Sequence, residues 1–218
     1  MKFKQLSKPK YTIWIDQDSV LYDLETPWFR MHNNDHPQHQ IHSQHLNEWD
    51  VSGICRDAQC NANLYTYLDK KEVWEVGGVI GNSQEIIARW KQDNIAQIGV
   101  MTSVLSHVAP SLKMQWLDDK FPFIDRIAIM HGVRKSEMRG DILIDDSPLN
   151  LTDWPGIGIL YTQPTNLRVN MLRADNWDEV DLLVREAIHL LQQGYEHRDV
   201  ESILMTRQRW EKPHAKRD

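Results

Sequence analysis

Two aspartates spaced two apart, Asp16 and Asp18, stand where the apolar run Ile13-Trp14-Ile15 gives out, and the chain turns apolar again at Val20-Leu21. Alternate side chains of a strand share a face, but where the strand ends and the backbone turns, positions i and i+2 can converge on one point. Two carboxylates at one point attract a hard cation and can divide nucleophilic and proton-transfer duties. Taken alone, the pair equally describes a strand followed by an Asx-type turn, because Asp, Gln and Ser are ordinary turn residues. The ends of the other apolar runs separate the two readings. The run 96–101 ends in Thr102-Ser103, the run 141–144 passes into Asp145-Asp146, and Lys135 follows the run 126–130.

Several carboxylates with no histidine among them favour an oxygen-ligand site for Mg²⁺, which keeps several waters and accepts phosphate as a further ligand. A hydroxyl at Thr102 or Ser103 and a lysine supply donors to phosphate oxygens. These residue types together suit phosphoryl transfer, which asks for positioning and charge neutralisation.

The elements that must hold these residues alternate. Short apolar strands are separated by helical stretches: Asn82 with Glu85 forms a capping-box pattern ahead of Ile86, Ile87 and Trp90, Pro110 opens a helix carrying Leu112, Trp116 and Leu117, and Val180 to Leu191 repeats with helical period before Gly194. A last helical stretch runs from about Asp199 to Trp210. The pattern predicts an α/β fold, a doubly wound three-layer parallel sheet, and in such sheets ligands bind beyond the carboxyl ends of the strands. About fifty residues separate the first strand from the next core element, too many for a bare loop, so a small, mainly helical cap is expected after the first strand. The expected division is a core of residues 1–24 and 78–218 with a cap of residues 25–77.

In their order along the chain, Asp16-Gln17-Asp18-Ser19-Val20-Leu21, the strand ending in Thr102, Lys135, and the Asp145-Asp146 pair resemble the four motifs of the haloacid-dehalogenase-like (HAD) phosphohydrolase superfamily. Within it, Asp141 to Asp146, Met101-Thr102-Ser103 and Lys113 to Trp116 are most similar to the 5′(3′)-deoxyribonucleotidases. The resemblance covers the core from about residue 11 to about residue 180 and is faint in the cap. It implies that Asp16 is the nucleophile, forming an aspartyl-phosphate, and that Asp18 is the acid and base. It implies Mg²⁺ held by Asp16, the Asp18 carbonyl and Asp146, with Asp145 close by. It also implies phosphate held by Thr102 and Ser103, with Lys135 neutralising charge. The chain departs from the pattern at Ser19, where glycine is common, at Val104, where proline is usual, and at Val133, where relatives tend to carry arginine. Lys113 is the alternative source of the charge given to Lys135.

Specificity in such enzymes resides in the cap. Trp49 and Tyr67 fall at about the places where the family stacks rings on a nucleobase, and Trp74 is a third candidate; a role as the cap's own core is the other reading of all three. His32, His36, His39, His42 and His45, with Cys55 and Cys60 downstream, form a set able to ligate zinc, although the cysteine spacing is not the tight C-x-x-C type and a solvated polar face explains the histidines as well.

The net charge of −6 argues against a protein that grips a nucleic-acid backbone. With two cysteines no disulfide framework is expected, and without a signal-like or membrane-spanning run the expectation is a cytoplasmic protein acting on a small nucleotide, with a homodimer open. The functions in play are a Mg²⁺-dependent nucleoside-monophosphate phosphatase, a phosphatase for another small phosphorylated metabolite, and a binding protein that keeps the fold without turnover. Intact motifs weigh against the last.

Overall fold

The structure is a computed structural model and describes residues 10–46, 51, 54, 60 and 63–211. Six parallel strands form one sheet: β1 (Thr12–Ile15), β2 (Gln97–Ser103), β3 (Arg126–Met130), β4 (Ile142–Asp145), β5 (Ile157–Tyr161) and β6 (Arg173–Ala174), in the order β3-β2-β1-β4-β5-β6. The chain winds outward from β1 in one direction, then crosses back to lay β4 on the other side. The reversal leaves a crevice beyond the carboxyl ends of β1 and β4, where a ligand can enter.

Side chains alternate across the sheet, and each set finds its own core. Ile13 and Ile15 of β1, Ile98 and Val100 of β2, Ile142 and Ile144 of β4 and Ile157 and Ile159 of β5 face the larger one. It is closed by α3 (Ser83–Gln92), α4 (Ala109–Lys120), α6 (Trp177–Gln192) and α7 (His197–Glu211), through residues such as Ile86, Trp116, Val184 and Leu204. The opposite face carries Trp14, Met101, Leu143 and Leu160 against Leu151 of the short α5 (Pro148–Thr152) and Trp154. Trp14 and Gly99 are register partners, and a Cβ at Gly99 would lie 2.4 Å from the Trp14 ring. Glycine is needed there because the indole covers the neighbouring strand.

Between β1 and α3 stand α1 (Glu25–Asp35), two 3₁₀ turns at Ser43–His45 and Tyr65–Asp69, and α2 (Lys71–Val76). The outgoing and returning chains are stitched together: Asp23 N donates to Gly78 O at 3.0 Å, and Ile80 N to Leu21 O at 2.9 Å. Gly77 lies so close to Tyr22 that an added Cβ would sit 2.1 Å from the phenol oxygen.

Several expectations need correction. Asn82 does not cap α3; its amide donates to Asp178 Oδ1 at 2.8 Å, a tertiary partner that outcompetes the local one. β6 and α5 were not foreseen, since two and five residues are too short for a periodicity to register. Cys60 is disulfide-bonded, contrary to the expectation drawn from so few cysteines, whereas Cys55 lies outside the described residues. Among the described residues no helix is long and apolar enough to cross a membrane.

Candidate active site

The extended backbone of β1 ends at Ile15, and Asp16 prolongs its ladder by one bond, N–H to Ile144 O at 2.8 Å. The chain then turns sharply. Gln17 O accepts from the amides of Leu21 and Tyr22, and Ser19 N donates to Tyr22 O at 2.8 Å. Ser19 holds the turn with φ +57°, a left-handed conformation that glycine enters without a Cβ penalty, which is the physical reason for glycine at the matching position of the resembled family.

Two lysines from different elements reach the floor of the crevice. Lys135, just beyond β3 and 2% exposed, donates to Asp16 Oδ1 at 2.5 Å and to Asp145 Oδ2 at 2.6 Å. Lys113, on α4 and 3% exposed, donates to Asp18 Oδ2 at 2.5 Å, Thr102 Oγ1 at 2.7 Å and Ser103 O at 2.7 Å. The two lysines are not alternatives here: both reach the floor, on different carboxylates. Asp145 is further committed to Ser147 N at 2.8 Å and to the Asn150 amide at 3.1 and 3.2 Å.

Four carboxylates against two ammonium groups leave negative charge in excess. Burial, partly offset by Lys113 and reinforced by Asp16, holds the Asp18 carboxyl above the usual carboxylate range. Burial raises Asp145 despite Lys135, and raises Asp146 well above its ordinary value, with Asp16 and Asp145 adding to the effect. Burial works against the charge on Lys135, but Asp145 and Asp16 outweigh it and hold the ammonium above its ordinary value. Acceptor atoms of Asp16, Asp145 and Asp146 lie within 4.8 Å of one another, and Asp146 Oδ1 is buried without a hydrogen-bond partner. An orphaned carboxylate oxygen in an electron-rich cluster is what a divalent cation fits.

Above this floor opens a cavity of about 380 Å³. Asp18, Ser103, Lys113 and Asp146 line its base, and Trp28, Phe29, Tyr65, Leu68 and Trp74 form apolar walls. Tyr67 does not line it: its hydroxyl donates to Asp35 Oδ2 at 2.9 Å and its ring meets His32 edge-on, so the residue belongs to the cap's own packing. Trp49 lies outside the described residues. Trp74 does line the cavity, stacked on Tyr22 at 5.0 Å with Lys113 Nζ 5.5 Å from its ring centre. The histidine set forms no metal site among the described residues: His32 is fully buried with Nε2 3.0 Å from the sulfur of disulfide-bonded Cys60, and the acidic trio is the one group of three or more suitable ligands.

Among the cavity residues that sequence reasoning missed are two acids, Glu25 and Asp69. Glu25 opens α1, and burial, then the charge of Asp23, push its carboxyl up to about 7. Asp69 accepts a hydrogen bond from the Ser106 hydroxyl, joining the inserted segment to the loop after β2. Neither residue stands in a motif, and only the folded chain brings them to the cavity.

The fold recurs in solved structures. A HAD-superfamily hydrolase of subfamily IA from Geobacter sulfurreducens superposes with a TM-score of 0.54 at 12% identity, covering 82% of this chain and all of that one. The HAD hydrolase YfnB from Bacillus subtilis, bound to magnesium, superposes with a TM-score of 0.54 at 13% identity, covering 81% and 99%. The six-stranded parallel sheet and its flanking helices are therefore the α/β fold that these structures share. Residues 10–190 match the family "5′ nucleotidase, deoxy (pyrimidine), cytosolic type C protein", and the chain belongs to that family. Among curated relatives, the 5′(3′)-deoxyribonucleotidase of Bacillus subtilis is 29% identical over 79% of this chain and 97% of its own length, and that of Clostridium acetobutylicum 28% identical over 82% and 96%. The chain is a phosphoric monoester hydrolase.

Proposed function

We propose that this hydrolase removes phosphate from deoxyribonucleoside monophosphates through an aspartyl-phosphate on Asp16. The observation that carries the reading is the division of the two buried lysines. Lys135 holds Asp16 against Asp145, which points the nucleophile and lowers the repulsion an anionic substrate would meet, while Lys113 joins Asp18 to Thr102 at the base of the cavity. Asp16 attacks phosphorus, and the bond from phosphorus to the sugar oxygen breaks. Asp18, whose carboxyl burial raises, gives its proton to the departing oxygen and then takes one from the water that attacks the phosphoenzyme, returning Asp16 and inorganic phosphate. The hydroxyl of Thr102 and the loop at Ser103 hold the phosphoryl oxygens.

Asp16, Asp146 and the Asp18 carbonyl would hold Mg²⁺, with Asp145 beside it, and the ion would supply neutralisation of phosphoryl charge. The relatives' name, 5′(3′)-deoxyribonucleotidase, and the apolar, aromatic cavity wall support a nucleoside as the leaving group. The test is a phosphate-release screen with Mg²⁺ across ribo- and deoxyribonucleoside 5′- and 3′-monophosphates and common sugar phosphates. Deoxyribonucleotides are expected to give the highest kcat/KM; a sugar phosphate turned over a hundredfold better would replace the nucleotide reading.

A further inference from the structure

The loop between β5 and β6 takes no part in any of the motifs, yet it touches both halves of the floor. Asn166, 1% exposed, donates through its side-chain amide to Asp146 O at 2.9 Å and to Tyr161 O at 2.8 Å, and its Oδ1 accepts from Gln163 N at 3.1 Å. Three positions before it, the Gln163 amide donates to Ser19 O at 2.6 Å. Arg173, from β6, fixes the loop from outside by donating to Asn166 O at 3.0 Å and Val169 O at 2.6 Å. Thr165, between the two amides, lines the cavity.

The two carbonyls held in this way are special. Asp146 O belongs to the residue whose Oδ1 is buried and unpartnered, and Ser19 O belongs to the left-handed turn that follows Asp18. Among the described residues no hydrogen bond reaches Asp146 Oδ1, so the backbone at Asp146 sets the position of that oxygen. Ser19 sits in a conformation that a non-glycine residue does not keep without support. A single amide strap therefore ties the end of β1 to the end of β4 from the side opposite the lysines.

We infer that Asn166 and Gln163 are positioning residues that set the geometry of the cation site by clamping the backbone at Asp146 and at Ser19. The inference rests on the reading that Asp146 and the Asp18 turn hold a divalent cation. Outer-shell partners of this kind typically shift metal affinity by about 10- to 100-fold.

The experiment is calorimetric titration of Mg²⁺ into the metal-free full chain, without substrate, alongside thermal melting of the same samples. Asn166→Ala is expected to weaken Mg²⁺ binding by about tenfold or more and Gln163→Ala by about threefold or more. Thr162→Ala is the control, because it removes two hydrogen bonds at the start of the same loop, Thr162 Oγ1 to Asp175 Oδ1 at 2.6 Å and Arg173 Nη1 to Thr162 Oγ1 at 3.2 Å, while leaving the donors to both clamped carbonyls in place; its Mg²⁺ affinity should match wild type. If Asn166→Ala does not fold, Gln163→Ala carries the test from a half-buried position. Variants that lose melting temperature but bind Mg²⁺ within twofold of wild type overturn the inference and leave a merely structural loop. A wild-type chain that takes up no Mg²⁺ overturns the cation reading, and the inference with it.

Discussion

Lys135 and Lys113 enter the crevice from different elements and neutralise different carboxylates, so each aspartate of the pair has its own electrostatic partner. Asp16→Asn removes the proposed nucleophile while keeping the volume and a hydrogen-bond acceptor for Lys135. It should abolish phosphate release, with a circular dichroism spectrum matching wild type; turnover of p-nitrophenyl phosphate at the wild-type rate would end the Asp16 reading. Glu25 offers a second residue-scale measurement. Its carboxyl is raised from 4.5 to about 7, so the folded state holds a proton that the unfolded chain releases earlier. The stability it contributes is complete below about pH 4.5 and is lost as pH rises through about 7. Glu25→Gln lacks that loss. Between pH 5 and pH 8 the variant should gain on the order of 1–2 kcal/mol relative to wild type in urea unfolding. Equal pH slopes for the two proteins would show that Glu25 titrates normally.

At the scale of elements, the crevice depends on strand ends held at matched height. Ile15 pairs with Val100 on one side and Ile144 on the other, which places Asp16, Thr102 and Asp145-Asp146 around one point. On one face of the sheet the Trp14 ring lies over Gly99 of the neighbouring strand. Gly99→Ala drives a methyl into that ring and should destabilise the fold by about 1–3 kcal/mol, measured by chemical denaturation. Because Gly99 lies three residues before Thr102, kcat should fall as well if the strand is displaced. A variant as stable as wild type would mean that the indole moves aside freely.

For the whole molecule, the excess of carboxylates makes the folded chain a better host for a divalent cation than the unfolded one, which cannot assemble the cluster. Mg²⁺ at about a hundred times its dissociation constant should stabilise the fold by about 2.7 kcal/mol. For a domain of this size that is a rise in Tm of about 5–10 °C. EDTA should remove both the stabilisation and the phosphate release, and Asp146→Asn should abolish the shift. An unchanged Tm on adding Mg²⁺ to metal-free protein would argue that the charge in the crevice is balanced by protonation instead.

Much of this was legible in order along the chain. The short apolar runs that end in Asp16-Gln17-Asp18, Thr102-Ser103 and Asp145-Asp146 determined an α/β sheet with its polar residues at the carboxyl ends, because alternation of strands and helices and the end of each run are local properties. That further elements stand between the first strand and the next was legible from the length of chain after the first strand. Other features depended on long-range packing and had no local signature. Tyr67 was taken by Asp35 and His32 and Asn82 by Asp178, and Lys113, which the sequence offers as the alternative to Lys135, is instead a second buried ammonium, paired with Asp18. Asn166 and Gln163 stand in a loop with no motif at all. A residue type and its spacing specify which chemistry is available, whereas the partner that satisfies each buried charge or amide is chosen only when distant segments close on one another.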